Sequence, residues 1–582
     1  MNCFETYIDH SVISFFQEND KLFSNVTEAN IMIKSACGVN DFFNVQDELL
    51  ALKNKIKDNS YRVEEPNRRA YGDFQTNKKL SSQVIEYISS KQIDFEFVLE
   101  PTCGKGNFIL AALEQFETIK KIVGVEIYLP YVWETKFKIL SYFIDHPDRN
   151  KPEINIFHEN AFTFPYKEIA KQTQHFKTLI IGNPPWVTNS ELGTINSNNL
   201  PKKTNFKNHR GFDAITGKGN FDIGEYISIL MLKSFHKHDG LFSFLIKNSV
   251  VKNIISDQKK NKFKIANSEK LNIDSKKEFN VSVNASLFIT TLNSNPESIC
   301  AEYDFYTRQH ITTFGWHKNK FVNSIKDYHL ANIIDGNSIF IWRSGIKHDC
   351  SKIMEFMPSS DGHFINGYNL ALNIEDDLVY GLLKSSDLKE RQTNQYRKLT
   401  IITQRKIGQD TKYIQWKYPL TYSYLNNHKE YFDKRKSSIY KGKPSFSIFG
   451  VGDYSFKPYK VAISGMYKTT HFTLVTTDKK GKPIMLDDTC YFIGFDDYNN
   501  ARIAHYLANS ELVQRFLRSI IFSDSKRSIN KDILMRIDFE EVYRQTEFAL
   551  IEGELDGITI DDWVIFGDFF SKTNHVKQMS LF

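Results

Sequence analysis

The stretch KTLIIGNPPWVTNSE runs apolar to Ile181 and then breaks at Asn183, Pro184, Pro185 and Trp186. A short, continuous, β-branched run of this kind reads as a parallel strand covered on both faces. Two successive prolines carry no N–H and fix φ, so the chain leaves the sheet in a rigid extended turn with its carbonyls held in place. An amide and a carbonyl are thereby presented as acceptors at a strand's carboxyl end, where open α/β sheets bind their ligands. The other reading is an ordinary strand-terminating turn in which Trp186 covers the core.

Three segments upstream supply partners for such a turn. FVLEPTCGKGNFILAAL reads as strand, glycine turn and helix. Gly104 and Gly106 permit close backbone approach, and the first N–H groups of the helix carry partial positive charge. Glu100, at the strand's end, would repel a pyrophosphate but suits a ligand with an ammonium group, and no P-loop Lys-Ser/Thr follows to hold a nucleoside triphosphate. KIVGVEI ends in Glu126, where doubly wound folds receive ribose hydroxyls on an acid. INIFHENAF ends at Asn160 and Phe162, placed to hydrogen-bond and to cover a purine. Two carboxylates bracketing a nucleoside with a cationic tail match the charge pattern of S-adenosyl-L-methionine. Taken singly, Glu126 reads equally as a helix N-terminal charge and Phe162 as core.

These segments need a scaffold. Helical stretches alternate with short apolar strands (FEFVLE, KIVGVEI, INIFHEN, KTLIIGN, GLFSFLIKN, ASLFITTL), which predicts a mostly parallel α/β sheet over 61–300. Residues 1–60 read as an appended helical segment, and 301–582 as a mixed α+β domain in which the alternation is lost. A long Asn-, Lys- and Gly-rich loop, TINSNNLPKKTNFKNHRGFDAITGKGN, follows the Pro-Pro-Trp turn; loops of that length inside a domain tend to be functional or disordered.

Bulk composition narrows the classes. Lys and Arg number 75 against 69 Asp and Glu, a net charge of +6 that permits nucleic acid without demanding it. Six cysteines lie far apart with no CxxC pair, so neither a zinc knuckle nor a disulfide framework is suggested and no metal is expected. The N-terminus lacks a basic region before an apolar core, and no apolar run reaches transmembrane length. A cytoplasmic protein with no membrane partner is the expectation.

With EPTCGKG preceding NPPW, residues 71–295 resemble the gamma-class N6-adenine DNA methyltransferases of restriction-modification systems. The resemblance implies a Rossmann-like S-adenosylmethionine-dependent methyltransferase fold, S-adenosyl-L-methionine as cofactor, and double-stranded DNA as substrate. A separate cognate restriction endonuclease is the implied partner. It carries cofactor contacts onto Pro101 and Thr102 of the glycine motif and onto Phe74, Gln75 and Thr76 in YGDFQTNKKLSSQVIEYI. Three positions depart from the family pattern. Asn77 stands where a proline is usual, Asn160 where the third strand usually carries an acid, and Trp186 where Tyr or Phe is common. In the family's chemistry the Asn183 side-chain oxygen and the Pro184 carbonyl hold the two hydrogens of adenine's amino group, while Trp186 stacks on a base flipped from the duplex. KKEFNVSVNASLFITTL resembles the late motif, which makes Phe279 the candidate for the base's other face, with core packing as its alternative. In GNFDIGEYISILML, Asp222 reads either as a residue orienting the catalytic loop or as a helix N-terminal charge.

The C-terminal region resembles target-recognition domains fused to such enzymes. Basic residues interleaved with Tyr, Phe and Gly suit phosphate contacts and groove entry. Arg405, Lys406, Lys434, Arg435, Lys436, Lys526 and Arg527 are the phosphate candidates, each with a solvated surface charge as its alternative. Enzymes that methylate ribosomal RNA or a protein glutamine amide share the motif. They remain open alternatives, as do a fused restriction-modification enzyme and a non-catalytic DNA-binding subunit.

Overall fold

Ten strands form one sheet in the first part of the chain: β1 (Phe97–Glu100), β2 (Lys121–Glu126), β3 (Glu153–His158), β4 (Thr178–Gly182), β5 (Gly240–Lys247), β6 (Ile265–Ile273), β7 (Ala285–Leu292), β8 (Ile299–Asp304), β9 (His310–His317) and β10 (Lys320–Val322). Their order across the sheet is β10-β9-β8-β6-β7-β5-β4-β1-β2-β3. Strands β1 to β5 pair in parallel, and β7 runs antiparallel between β5 and β6. All residues of β1 and β4 are buried, as their continuous apolar runs require. Strand order reverses between β1 and β4, so their carboxyl ends open onto the crevice where such sheets bind ligands.

The computed structural model describes residues 8–58, 75–187, 222–358, 364–466, 469–522 and 527–579. Phe74, Lys526 and the loop following the Pro-Pro-Trp turn lie outside the described residues. The chain divides into two units, Met1–Phe321 and Val322–Phe582. The first unit thus runs past the boundary expected at residue 300. Strand β8 pairs in parallel with β6, and β9 adds antiparallel to β8. That extension is an edge of mixed pairing with partly exposed faces, which lacks the strand–helix rhythm that marked the rest.

Helices α1 (His10–Glu18), α2 (Val26–Cys37) and α3 (Gln46–Lys57) belong to the same unit. Phe16, Phe42 and Phe43 share the core of the large sheet with Trp133 and Phe137, Phe42 lying 5.9 Å from each of these two rings. Lys136 Nζ donates to the carbonyls of Asp41 (2.9 Å) and Phe42 (2.8 Å), and burial draws its pKa down to about 8. Val39 bridges Ile154 in parallel, covering the outer edge of β3. The segment is therefore integral to the first unit, where the sequence suggested an appendage.

Among the described residues, helices α4 (Lys78–Ser89), α5 (Asn107–Gln115), α6 (Leu129–Asp145), α7 (Tyr166–Gln172), α8 (Ile223–Phe235), α9 (Asn248–Asn261) and α10 (Ser275–Phe279) complete the unit. The second unit is mixed α+β. One five-stranded sheet centres on Tyr459–Ser464, antiparallel to Phe472–Val475 and Cys490–Phe495, and a six-stranded sheet is built around Lys398–Ile401. Among the described residues no helix is long and apolar enough to cross a membrane, and no group of three His, Cys, Asp or Glu could hold a metal.

Candidate active site

The turn after β1 is shaped by its glycines. Gly104 and Gly106 have φ of +52° and +73°, which L side chains rarely adopt. Space is equally short, since a Cβ on Gly104 would lie 2.5 Å from Gln75 Oε1 and one on Gly106 2.6 Å from Thr135 Cγ2. The Lys105 N–H donates to Gln75 Oε1 at 3.1 Å, so Gln75 lies directly on the turn. Glu126, at the end of β2, accepts from the Gly104 N–H on Oε2 and from the Tyr128 N–H on Oε1, both at 2.8 Å. To the ribose role expected of it, the structure adds a main-chain lock between the ends of β1 and β2.

Glu100 is 2% exposed, and its Oε2 is buried without a hydrogen-bond partner. Burial, reinforced by the charge of Glu126, pushes its pKa well above the carboxylate range. Thr102 Oγ1 is likewise buried and unpartnered. A buried carboxylate facing a second anion suits a cation, and these groups fit the ammonium end of S-adenosyl-L-methionine. A Cβ at Gly182 would lie 3.7 Å from Glu100 Cγ, so this carboxylate stands beside the end of β4.

Asn183 follows β4 directly. Its Nδ2 donates to Thr76 Oγ1 at 3.2 Å, while the Thr76 carbonyl accepts from Asn107 Nδ2 at 2.7 Å. The buried threonine therefore joins the acceptor turn to the glycine turn and fixes the amide with its oxygen end turned away from Thr76. Sequence reasoning placed Thr76 against the cofactor and missed this link. Asn77 caps α4 by accepting from the Leu80 N–H at 2.8 Å, a task that a proline at this position could not do.

Beyond Asn183 the prolines abut the start of α8. A Cβ at Gly224 would lie 3.5 Å from the Pro185 carbonyl oxygen and 3.6 Å from Pro184 Cγ, and the Ile223 N–H donates to the Val187 carbonyl at 3.0 Å. Asp222 serves the helix N-terminal role read from the sequence and adds an ion pair. It caps α8 by accepting from the Glu225 N–H, and it pairs with Lys247 Nζ at 2.7 Å, tying the helix after the turn to the end of β5.

Two expectations are corrected here. Trp186 is 4% exposed, donates Nε1–H to the Leu245 carbonyl at 3.1 Å, and meets Phe279 edge to face with centroids 4.9 Å apart. Rings in that contact leave no slot for a base between them: Trp186 packs in the core and the half-buried Phe279 packs against it. Asn160, two residues beyond β3, accepts on Oδ1 from the Phe162 N–H at 2.9 Å, closing an Asx turn at the strand's end. Phe162 is half-buried, edge-on to Tyr226 of α8 at 5.5 Å.

The type II methyltransferase M.NspV of Nostoc sp. (strain ATCC 29411 / PCC 7524) is 38% identical over 478 residues, covering 82% of this chain and 98% of the relative. The chain belongs to the type II restriction-modification methyltransferases. No protein-family model matches it. Solved structures similar to this methyltransferase include a nuclease-deletion mutant of the type ISP restriction-modification enzyme LlaGI (11% identity, 85% of this chain and 55% of that one, TM-score 0.41). The type IIG restriction endonuclease BpuSI (12%, 90% and 67%, 0.34) and a type I methyltransferase subunit from Streptococcus thermophilus (11%, 56% and 74%, 0.30) are others. The fold of the first unit is that of the S-adenosylmethionine-dependent methyltransferases, its strand order and glycine turn standing as described above.

In the second unit of the methyltransferase the basic candidates separate. Arg435 is half-buried, with its guanidinium 3.7 Å from the Tyr440 ring centroid and donating to the Ser447 (2.7 Å) and His348 (3.2 Å) carbonyls. It holds the fold together and is withdrawn as a phosphate contact. Lys434 pairs with Glu430 at 2.9 Å, and Arg527 lies 3.5 Å from Asp488. Arg405 is exposed and stacks on Phe456 at 4.1 Å, while Lys406 and Lys436 are exposed.

Proposed function

We propose that this methyltransferase moves a methyl group from S-adenosyl-L-methionine to N6 of an adenine turned out of duplex DNA, protecting that DNA from a partner endonuclease. One juxtaposition supports the reading. The buried Glu100 carboxylate and the Asn183 amide stand at neighbouring strand ends, with Thr76 joining the glycine turn to the acceptor turn. Glu100, Thr102, Gln75 and the turn amides would hold the cofactor, with Glu126 toward its ribose and Phe162 toward its purine. When bound, the cofactor supplies an electrophilic methyl on a sulfonium.

Adenine's amino nitrogen is a weak nucleophile because its lone pair is delocalised into the ring. Asn183 Oδ1 and the Pro184 carbonyl accept its two N–H bonds, favour a pyramidal nitrogen and aim its lone pair along the transfer line. Thr76 keeps the amide from turning over. The positive charge that develops on nitrogen meets acceptors already in place, so orientation and fixed dipoles carry the rate and no strong base has to act first. The extra proton leaves N6 to solvent after transfer. Trp186 braces the Pro-Pro turn from the core side.

The test is incubation with methyl-labelled cofactor and unmethylated duplex, then digestion to nucleosides. Label in N6-methyladenine supports the reading. Label in a cytosine, in RNA or in protein overturns it.

A further inference from the structure

Residues 405–420 of the second unit, RKIGQDTKYIQWKYPL, form a largely exposed segment tied to the fold at a few points. Gln404 is fully buried and anchors the segment's root. Its Oε1 accepts from the Ile448 N–H at 2.9 Å, and its Nε2 donates to the Gln409 carbonyl. The Tyr413 hydroxyl donates to the Thr403 carbonyl at 3.2 Å, which returns the second half of the segment onto the strand leading to Arg405. Ile414 is completely buried, whereas Trp416, two residues on in the same helical turn, is 70% exposed. An indole held out in this way from a fixed turn is an unusual use of the most costly apolar surface a chain can expose.

Its surroundings select the partner. Arg405, Lys406, Lys412 and Lys417 are all exposed, and Asp410 is the segment's single acid. Arg405 rests on the Phe456 ring at 4.1 Å while remaining exposed. Exposed cations on the same segment as an exposed indole match a polyanion that also offers flat apolar faces, as base steps do. A protein partner would require acidic side chains around an apolar pocket. The DNA reading proposed above already supplies the polyanion, and this inference rests on it.

We propose that Trp416 is a base-contacting wedge that enters a base step of the bound duplex while the surrounding Lys and Arg side chains engage phosphates. Of the protein's six tryptophans, Trp133, Trp186, Trp342 and Trp563 are buried and Trp316 is half-buried, so Trp416 is the indole most exposed to quenching by duplex. The experiment titrates unmethylated duplex carrying the site methylated by the full-length protein into wild type, Trp416→Phe and Trp416→Ala, following emission and affinity. The expected result is quenching in wild type that disappears in Trp416→Phe. Trp416→Ala should lose roughly tenfold in affinity and Trp416→Phe much less, both with unchanged thermal midpoints. Duplex binding with unmoved emission and equal affinity in all three proteins overturns the wedge while leaving the DNA reading intact. The same holds if Trp416→Ala loses only its hold on a partner endonuclease. Absence of duplex binding by wild type itself overturns the reading beneath it.

Discussion

Glu100 carries the sharpest electrostatic consequence at the scale of single residues. An acid whose folded pKa is raised keeps its proton more tightly in the native chain than in the unfolded one. Its contribution to stability is therefore full below the ordinary carboxylate pKa and is lost as pH rises through the folded value. Glu100→Gln should raise the thermal midpoint of the cofactor-free protein near neutral pH and change it little in acid. It should also weaken cofactor binding at least tenfold, because the ammonium loses its counter-charge. Calorimetry in buffers of different ionisation enthalpy should detect proton release when wild type binds cofactor, and none in the variant. Binding with no proton release in wild type would contradict the pairing. Thr76 yields a second expectation. Thr76→Val removes the acceptor for Asn183 Nδ2, and kcat should fall roughly tenfold with a smaller change in the cofactor's KM. Thr76→Ser should restore most of the rate. Equal losses in both variants would mean that Thr76 acts by packing alone.

Much of the site is legible at the scale of elements, because β1, β2 and β4 are short buried strands whose apolar runs end at Glu100, Glu126 and near Asn183. Turn chemistry was equally readable, since Gly104 and Gly106 are the residues that a left-handed backbone demands. What could not be read is which atoms fill each polar group's valence. Glu126 is engaged by two main-chain N–H groups and Trp186 by the carbonyl of Leu245, and main-chain partners leave no mark on residue type. The second unit hides a similar case. Glu355 is buried; burial alone would raise its pKa, but hydrogen bonds from His348, Lys384 and Lys398 outweigh it and hold the value down to about 2. Stability from such a group is present above the ordinary carboxylate pKa and is lost as pH falls toward the folded one. Glu355→Gln should therefore cost on the order of 2 kcal/mol near neutral pH and progressively less in acid, as thermal melts across pH would reveal. A constant deficit across pH would point to packing instead.

Across the whole molecule the small positive charge says little, because its members do different work. The run Lys434, Arg435 and Lys436 illustrates this: one side chain is paired with Glu430, one is stacked on Tyr440 beneath main-chain carbonyls, and one is exposed. Arg435→Ala should lower the thermal midpoint by the equivalent of about 2 kcal/mol and leave the salt dependence of duplex binding unchanged. Charge reversal at Lys406 and Lys436 should flatten that dependence without altering the midpoint. The opposite pattern would reverse their assignments. The division into two units also escaped the sequence, since the edge strands after β7 carry no strand–helix alternation. The central claim, that the turn at Asn183 and Pro184 methylates adenine in DNA, is tested most directly by sequencing modified bases in DNA from cells expressing this chain or its Asn183→Ala variant. The account predicts N6-methyladenine in one recurring sequence context with the wild-type chain and none with the variant. Modification of another base, or adenine methylation that persists in the variant, would contradict it.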